Sequence, residues 1–317
     1  MQAILRPPAW KTWLAFAIVY FVWGSTFLAI RVGVREVPPY LLAGLRFSVA
    51  GIVLFTWMLA RKTALPTRRE WVSASILAVL IFAVDYGLLF WAEQRVPSGV
   101  AAVMMATIPV FIALLEILFL RSQRLTFRLA LALIGGICGV GILMSHSMAF
   151  GETPMGRSGA VALLVASVSW SIAAILPRKL PLPSSKGMSS AAQMLIGGAM
   201  LLLVSAVRGE FRGFHVREVS GGAWFALVYL IVPGSIVAFT AYMWLLHHES
   251  PTRVVSYAYV NPVVAVVLGH FLGGELVGPR TLIGTLFVLA SVVAITTIPR
   301  QDTQAASIAR ELEEVAE

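Results

Sequence analysis

Charge is scarce in these 317 residues: only 12% are charged, against about 25% in an average soluble globular protein. That deficit excludes an ordinary water-exposed surface. Cys138 is the sole cysteine, so there is neither a disulfide framework nor a cysteine-based metal site. No Walker A pattern, no GxSxG and no convincing metal-ligand set occurs, so the chain has no signature of driving transport with ATP on its own and calls for no cofactor. A concentrated basic stripe is missing too. The net charge of +9 and pI near 10.2 come from residues in short segments between apolar runs. Nucleic acid is therefore not an expected partner, and membrane lipid is.

What the chain has in abundance is apolar sequence. Hydrophobic residues make up 59%, and runs of about 20 of them recur from end to end, the length that crosses a core roughly 30 Å thick. Without water each run must satisfy its own backbone, so each is a helix. Ten spans are expected, over 12–32, 39–60, 71–92, 97–119, 127–147, 157–177, 188–208, 221–245, 251–273 and 281–299. Proline and glycine punctuate the gaps, as at Pro38-Pro39, Pro97 and Pro181 to Pro183. The first span lacks a small-residue cleavage site, so it is expected to stay as a membrane helix. Segment 300–317 is a polar, acidic tail. With both termini placed in the cytosol, fifteen Lys and Arg fall on the cytosolic side and seven on the other, as the positive-inside rule requires.

The chain also repeats itself. A shift of 147 residues aligns Trp23 with Trp170, Arg31 with Arg178 and Gly51 with Gly198. A shift of 153 aligns Trp71 with Trp224, Trp91 with Trp244 and Pro109 with Pro262, the six extra residues falling within 209–220. Five spans per half is an odd number, so the halves enter the membrane from opposite faces. The expectation is an all-α polytopic membrane protein made of two inverted five-helix repeats, 12–147 and 157–299. That is the construction of many secondary transporters, with a site near the midplane where the halves meet.

Three stretches carry a family resemblance: VWGSTFLAIRVGVREVPPYLLAGLRFSVAG (22–51), VPSGVAAVMMATIPVF (96–111) and VNPVVAVVLGHFLGGE (260–275). They resemble the EamA family of the drug/metabolite transporter superfamily, the N-terminal stretch being closest to its branch of YedA-like exporters. The resemblance covers residues 12–299. It implies ten helices, two EamA repeats, a bacterial inner-membrane location and export of metabolites or drugs. Family members often carry Gly-Glu-Arg after the fourth span, where this chain reads Ser122-Gln123-Arg124; the second repeat keeps Gly274-Glu275.

Ionisable residues within spans are costly and so are candidates for function. Arg46 lies seven residues beyond Pro39, about 10 Å deep, and Asp85 eight residues before Glu93, about 12 Å from the same boundary. They are placed to form an ion pair, or to serve a solute: Arg46 holding a carboxylate, Asp85 a proton or an amine, beside Tyr86. Protons acting through Asp85 are the candidate coupling ion. The repeat counterparts, Gln193 and Ala238, are uncharged. Glu116 is close enough to the cytosolic boundary to pair with arginines there. Trp23 and Trp170 sit at mid-span although tryptophan prefers the interface, so they are read as lining a cavity, with packing as the alternative. Gly24, Ser25, Thr26 and Ser171 beside them would let a small-molecule solute approach. Pro109 and Pro262 each remove a backbone hydrogen bond near mid-span. They are read as hinges, with Tyr257, Tyr259 and Asn261 as hydrogen-bonding groups beside the second. Gly135, Gly136, Gly139 and Gly141 are read as a close helix contact, and His247-His248-Glu249 as a solvated loop. Together these favour a carrier of amino acids, related amphiphilic compounds or drugs. A lipid-modifying intramembrane enzyme or a structural membrane protein are the rivals.

Overall fold

The computed structural model describes residues 8–120, 125–149, 154–249, 251–254 and 256–297. Among them, nine helices are long and apolar enough to cross a membrane: α1 (Ala9–Gly33), α2 (Pro39–Ala60), α3 (Arg68–Glu93), α4 (Ser98–Phe119), α5 (Phe127–Met144), α6 (Gly156–Arg178), α7 (Lys186–Val207), α8 (Gly221–Leu246) and α10 (Pro279–Thr297). A shorter apolar helix, α9 (Tyr257–Phe271), completes ten. The segment 300–317 lies outside the described residues.

Helix starts follow from local chemistry. Thr67 and Glu70 form a reciprocal capping box at α3. Ser185 and Ser220 cap α7 and α8 by accepting from Met188 N and Ala223 N, each at 3.3 Å. Pro39 opens α2, where its missing N–H costs nothing. The connections 34–38, 94–97, 208–220 and 272–278 share one end of the bundle, called the far face because the chain starts at the other.

The core is built by pairs taken from the two halves: α2 against α7, α5 against α10 and α4 against α9, with α1 on α8 and α9, and α6 on α3 and α4. The α2–α7 crossing shows the internal symmetry directly. A Cβ on Gly51 would lie 2.7 Å from Leu195 N, and one on Gly198 would lie 2.4 Å from Ser48 N. The shift of 147 that carries 51 to 198 also carries 48 to 195, so each half makes the other's contact. Residues related by 147 or 153 are called mirror positions below. In the α5–α10 contact Gly136 faces Ser291 and Gly139 faces Gly284 and Val288, but Gly135 and Gly141 meet nothing within 4 Å. Only half of that glycine run serves the contact, because successive helical residues point different ways.

Two helices are discontinuous. In α4 a turn at Ala106–Thr107 separates Ser98–Met105 from Ile108–Leu115, directly before Pro109, which has no N–H for the ladder. The expected span 251–273 is instead a single turn, Pro251–Val254, followed by α9. Pro262 lies inside the continuous part of α9, so the break falls earlier than its proline suggested. At that break the Ser256 hydroxyl donates to Arg253 O and accepts from Tyr20. Mid-helix, α3 and α8 widen to π-helical turns over Val79–Tyr86 and Leu230–Val237; Pro233 explains the second. α1 and α4 widen over Ile18–Val22 and Glu116–Leu120.

Candidate functional site

The mid-span site begins with the two π-helical stretches, which turn backbone carbonyls out of the regular ladder. Each is met by a helix of the opposite half. Ser169 of α6 donates to Leu80 O of α3 at 2.7 Å, and the Trp23 indole of α1 donates to Gly234 O of α8 at 3.1 Å. π-helical turns inside helices are frequent at functional sites.

Arg46 of α2 is buried, 3% exposed. Its Nε donates to Ser235 Oγ at 2.9 Å, and Ser235 in turn donates to Leu230 O, five residues back in the π-helical turn. The guanidinium carbon lies 4.7 Å from the Phe47 ring centroid, 5.4 Å from Tyr86 and 6.0 Å from Phe90. Nη1 is buried without a hydrogen-bond partner. Gly234 keeps the approach open: a Cβ there would stand 3.0 Å from Thr26 Cγ2 and 3.6 Å from Arg46 Nη2.

Arg46 and Asp85 do not pair. Asp85 is 1% exposed and its Oδ1 has no partner. The guanidinium faces the ring of the neighbouring Tyr86, and adjacent residues on a helix do not share a face. Gln193, the mirror of Arg46, bonds Ser189 of its own helix at 3.0 Å.

The two mid-span tryptophans each pack on a tyrosine of the other half. Trp23 contacts Tyr242 and Tyr257 at centroid distances of 5.2 and 5.1 Å, and those tyrosines contact each other at 5.8 Å. Trp170 packs edge-on to Tyr86 at 6.0 Å. Asn261, one turn beyond Tyr257, is buried with its Oδ1 unpartnered. Tyr259 is half-buried against the core.

Several candidates turn out to brace helices. Ser25 donates to Val22 O at 2.9 Å and accepts from Tyr229 at 2.6 Å, tying α1 to α8. Thr26 donates to Trp23 O at 2.6 Å. Ser171 is fully buried and donates to Ile108 O, at 3.1 Å, and to Ser167 O; Ser167 reaches Met104 O at 3.3 Å. Both serines thus satisfy carbonyls around the α4 break. Glu116 binds Arg178 Nη2 at 2.7 Å. His248 stacks on Trp244, and Glu249 pairs with Arg253.

The comparisons with known proteins agree with this architecture. A model of the EamA-like transporter family matches twice, over residues 10–145 and 157–297. The chain belongs to the EamA-like transporter family. It is 37% identical, over 89% of both chains, to the uncharacterized inner membrane transporter YedA of Escherichia coli (strain K12). It is 27% identical to Protein PecM of Dickeya dadantii, covering 87% of this chain and 89% of that one. It is also 23% identical to the uncharacterized transporter YoaV of Bacillus subtilis, covering 89% and 95%. A solved crystal structure shares the fold with a TM-score of 0.61 at 21% identity, covering 92% of this chain and 99% of that one. This EamA-like protein is a multi-pass inner-membrane transporter, and a small-molecule solute is its cargo class.

Sequence reasoning passed over Gly234, Ser235 and Tyr242. The proline at 233 was the available signal for the first two. Tyr242 carried none, since a tyrosine near a span end reads as an interface residue.

Proposed function

We propose that the protein is a secondary carrier, without enzymatic chemistry, that exports small amphiphilic metabolites such as amino acids, or drugs, across the bacterial inner membrane. In this reading 12–147 and 157–299 rock against each other about the α2–α7 crossing, opening the site to each side in turn. Both termini are cytosolic, so the far face is the outer end. The observation that supports the reading most is Arg46: a buried cation with an unpartnered Nη1, beside two π-helical turns and an aromatic wall. Such a group suits a carboxylate, through charge-assisted hydrogen bonds. Asn261 Oδ1 and Asp85 suit an amine, and Trp23, Tyr242 and Tyr257 suit the apolar body. Asp85 is also the proposed proton carrier.

Proteoliposomes loaded with a panel of amino acids, cationic dyes and sugar phosphates test this. A hydrogen bond to a charged group is worth about 1.5–3 kcal/mol, so Arg46→Gln should weaken a carboxylate-bearing solute roughly 10- to 150-fold. A wild-type protein that moves no member of the panel, or an Arg46→Gln protein with unchanged affinity, would overturn the site. A periplasm-active reporter should be silent at residue 317 and active at residue 213; the reverse would invert the orientation.

A further inference from the structure

The outer end of the bundle holds a second buried acid, Glu93 at the end of α3. Its exposure is 0%, and neither carboxylate oxygen has a hydrogen-bond partner. The cation best placed to neutralise it does something else. Arg31 of α1 gives Nη1 to the backbone carbonyl of Glu93 and leaves its own buried Nε unpartnered. The other acid nearby, Glu275, is fully occupied: its Oε1 accepts from Ser98 N at 2.7 Å and its Oε2 from Gly99 N at 3.1 Å, capping α4. Arg31, Glu275 and the more distant Arg46 are the charged groups that act on Glu93 from α1, the α9–α10 connection and α2. From α6 the neighbour is Gly159, packed on Val96 and Ala92. Arg95 turns away, onto the Trp91 ring at 3.8 Å.

The other end of the molecule shows what a structural acid looks like in this fold. Arg178, the mirror of Arg31, forms a direct ion pair with Glu116. The mirror of Glu116 is Gly269, and the space its side chain would fill is taken by Glu275, whose Oε2 lies 2.5 Å from where a Cβ would be. Both mirror-related acidic places are thus filled without Glu93, whose own mirror is Leu246. Glu93 is a surplus acid, and it caps no helix and pairs with no cation.

We propose that Glu93 is a proton-binding site of the carrier, loaded when the outer end is closed. The inference rests on the carrier reading above. A carboxylate without donors or a touching cation, removed from water, is costly to keep charged. A bound proton removes the charge, and intramembrane acids of this kind mark proton relays. Asp85 lies eight residues earlier on the same helix, about 12 Å along it, so α3 carries two stations for a proton. The proton comes from water when the outer end opens, is shut in as it closes, and passes by way of Asp85 to water on the other side when that side opens. Arg31 is the group that gains an anionic partner when Glu93 gives its proton up.

Infrared spectra of the full chain in phosphatidylethanolamine–phosphatidylglycerol vesicles test the site without needing a solute. In sodium-free buffer the wild type should show the carbonyl stretch of a protonated carboxyl at neutral pH, fading only in alkali. Glu93→Gln should lose that band, Glu93→Asp should keep it at a shifted frequency, and Asp85→Asn should leave it in place. Identical wild-type and Glu93→Gln spectra would overturn the proposal. So would a band that responds to added Na+ at constant pH, which would mark a metal-cation site. In the same vesicles, an inward or outward pH gradient should change the accumulation of panel solutes by wild type and not by Glu93→Gln. If the band behaves as expected but no solute moves, the carrier reading fails and the proton site stands. If solutes move and the band is insensitive to residue 93, the reverse holds.

Discussion

The two discontinuous helices, α4 and α9, occupy mirror positions yet are held differently. Around the α4 break, α6 supplies two hydroxyls: Ser167 to Met104 O and Ser171 to Ile108 O. Around the α9 break, α1 supplies Tyr20, which reaches Ser256, and then Gly24. Position 24 mirrors 171, and Asn261 mirrors Ile108. A Cβ at Gly24 would stand 3.1 Å from Asn261 O, so the same carbonyl is approached in both halves but bonded by a side chain only in the first. Burial follows suit. All eight residues Ser98–Met105 of α4 are buried, whereas Tyr257 to Val260 of α9 are only partly so. The first half is braced by two hydroxyls at its break, whereas at the second Asn261 keeps an unpartnered Oδ1 beside Gly24. An inverted repeat need not be functionally symmetric, and at these two breaks the side chains differ: hydroxyls hold the first, and a glycine faces the second.

The largest effect expected from this difference is at Gly24. A Cβ there would lie 2.7 Å from Val264 Cβ and 2.8 Å from its Cγ1, so Gly24→Ser must push α1 from α9. Overpacking of that kind costs about 1–3 kcal/mol, and transport should fall with it. The reciprocal change, Ser171→Gly, removes hydrogen bonds worth about 1 kcal/mol each and leaves the solute wall intact. Melting temperatures in detergent, with transport in vesicles, compare the two. A Ser171→Gly protein that transports worse than Gly24→Ser would break the comparison.

Next in size are the mirror tryptophans. Trp23 holds the α8 π-helical turn through Gly234 O and packs on two tyrosines, while Trp170 meets only Tyr86 among these. Trp23→Ala should therefore reduce transport by about tenfold, the equivalent of 1.4 kcal/mol, and Trp170→Ala by less. Both should reach the membrane in near-normal amount. If both are instead lost before insertion, packing is their whole role, since truncating a buried Trp costs about 3–5 kcal/mol.

How much of this could be read beforehand depends on the kind of feature. The ten helices were legible because an apolar run of spanning length has few other structures open to it. Arg46 and Trp23 stood out as residue types in the wrong place for their depth. The absence of an Arg46–Asp85 pair was not legible, because depth along two helices says nothing about rotation about them. The π-helical turns were hidden as well: hydrophobic periodicity marks a helix but not a local change in its winding, and only Pro233 hinted at one. Glu93 was passed over as a boundary marker, since a glutamate at a span end is normally solvated. Only tertiary packing buries it, with Arg31 of α1 bonded to its backbone carbonyl and α6 against the neighbouring Ala92.

A smaller effect separates the two braces themselves. Tyr20→Phe and Ser167→Ala each remove about one hydrogen bond, near 1 kcal/mol. Tyr20 is partly exposed and Ser167 fully buried. Hydrogen exchange should therefore quicken over 253–258 in Tyr20→Phe, while 104–109 stays protected in Ser167→Ala, where Ser171 still holds Ile108 O. Equal acceleration at both breaks would show that the halves are braced alike.

The smallest effect concerns a contact with no mirror at all. The connection 208–220, lengthened by six residues over its counterpart, reaches the α1–α2 loop. Glu36 accepts from Ser220 N at 2.6 Å and from Ser220 Oγ at 2.7 Å, and Glu210 accepts from Leu41 N at 3.0 Å. Two donors aimed at its anionic form hold the Glu36 carboxyl below the usual glutamate range, the backbone N–H contributing first and the hydroxyl second. A carboxyl depressed in the folded state stabilises that state above the ordinary glutamate value, and the contribution is lost as pH falls through the lowered one. The latch should thus hold at neutral pH and release only in acid. Glu36 is fully exposed, so the change should be confined to the loop. A fluorophore attached near residue 213 should report an acid transition in wild type that disappears in Glu36→Gln, with the melting temperature nearly unchanged. A transition of the same midpoint in both proteins would assign the acid response to another carboxyl and leave Glu36 as a surface contact only.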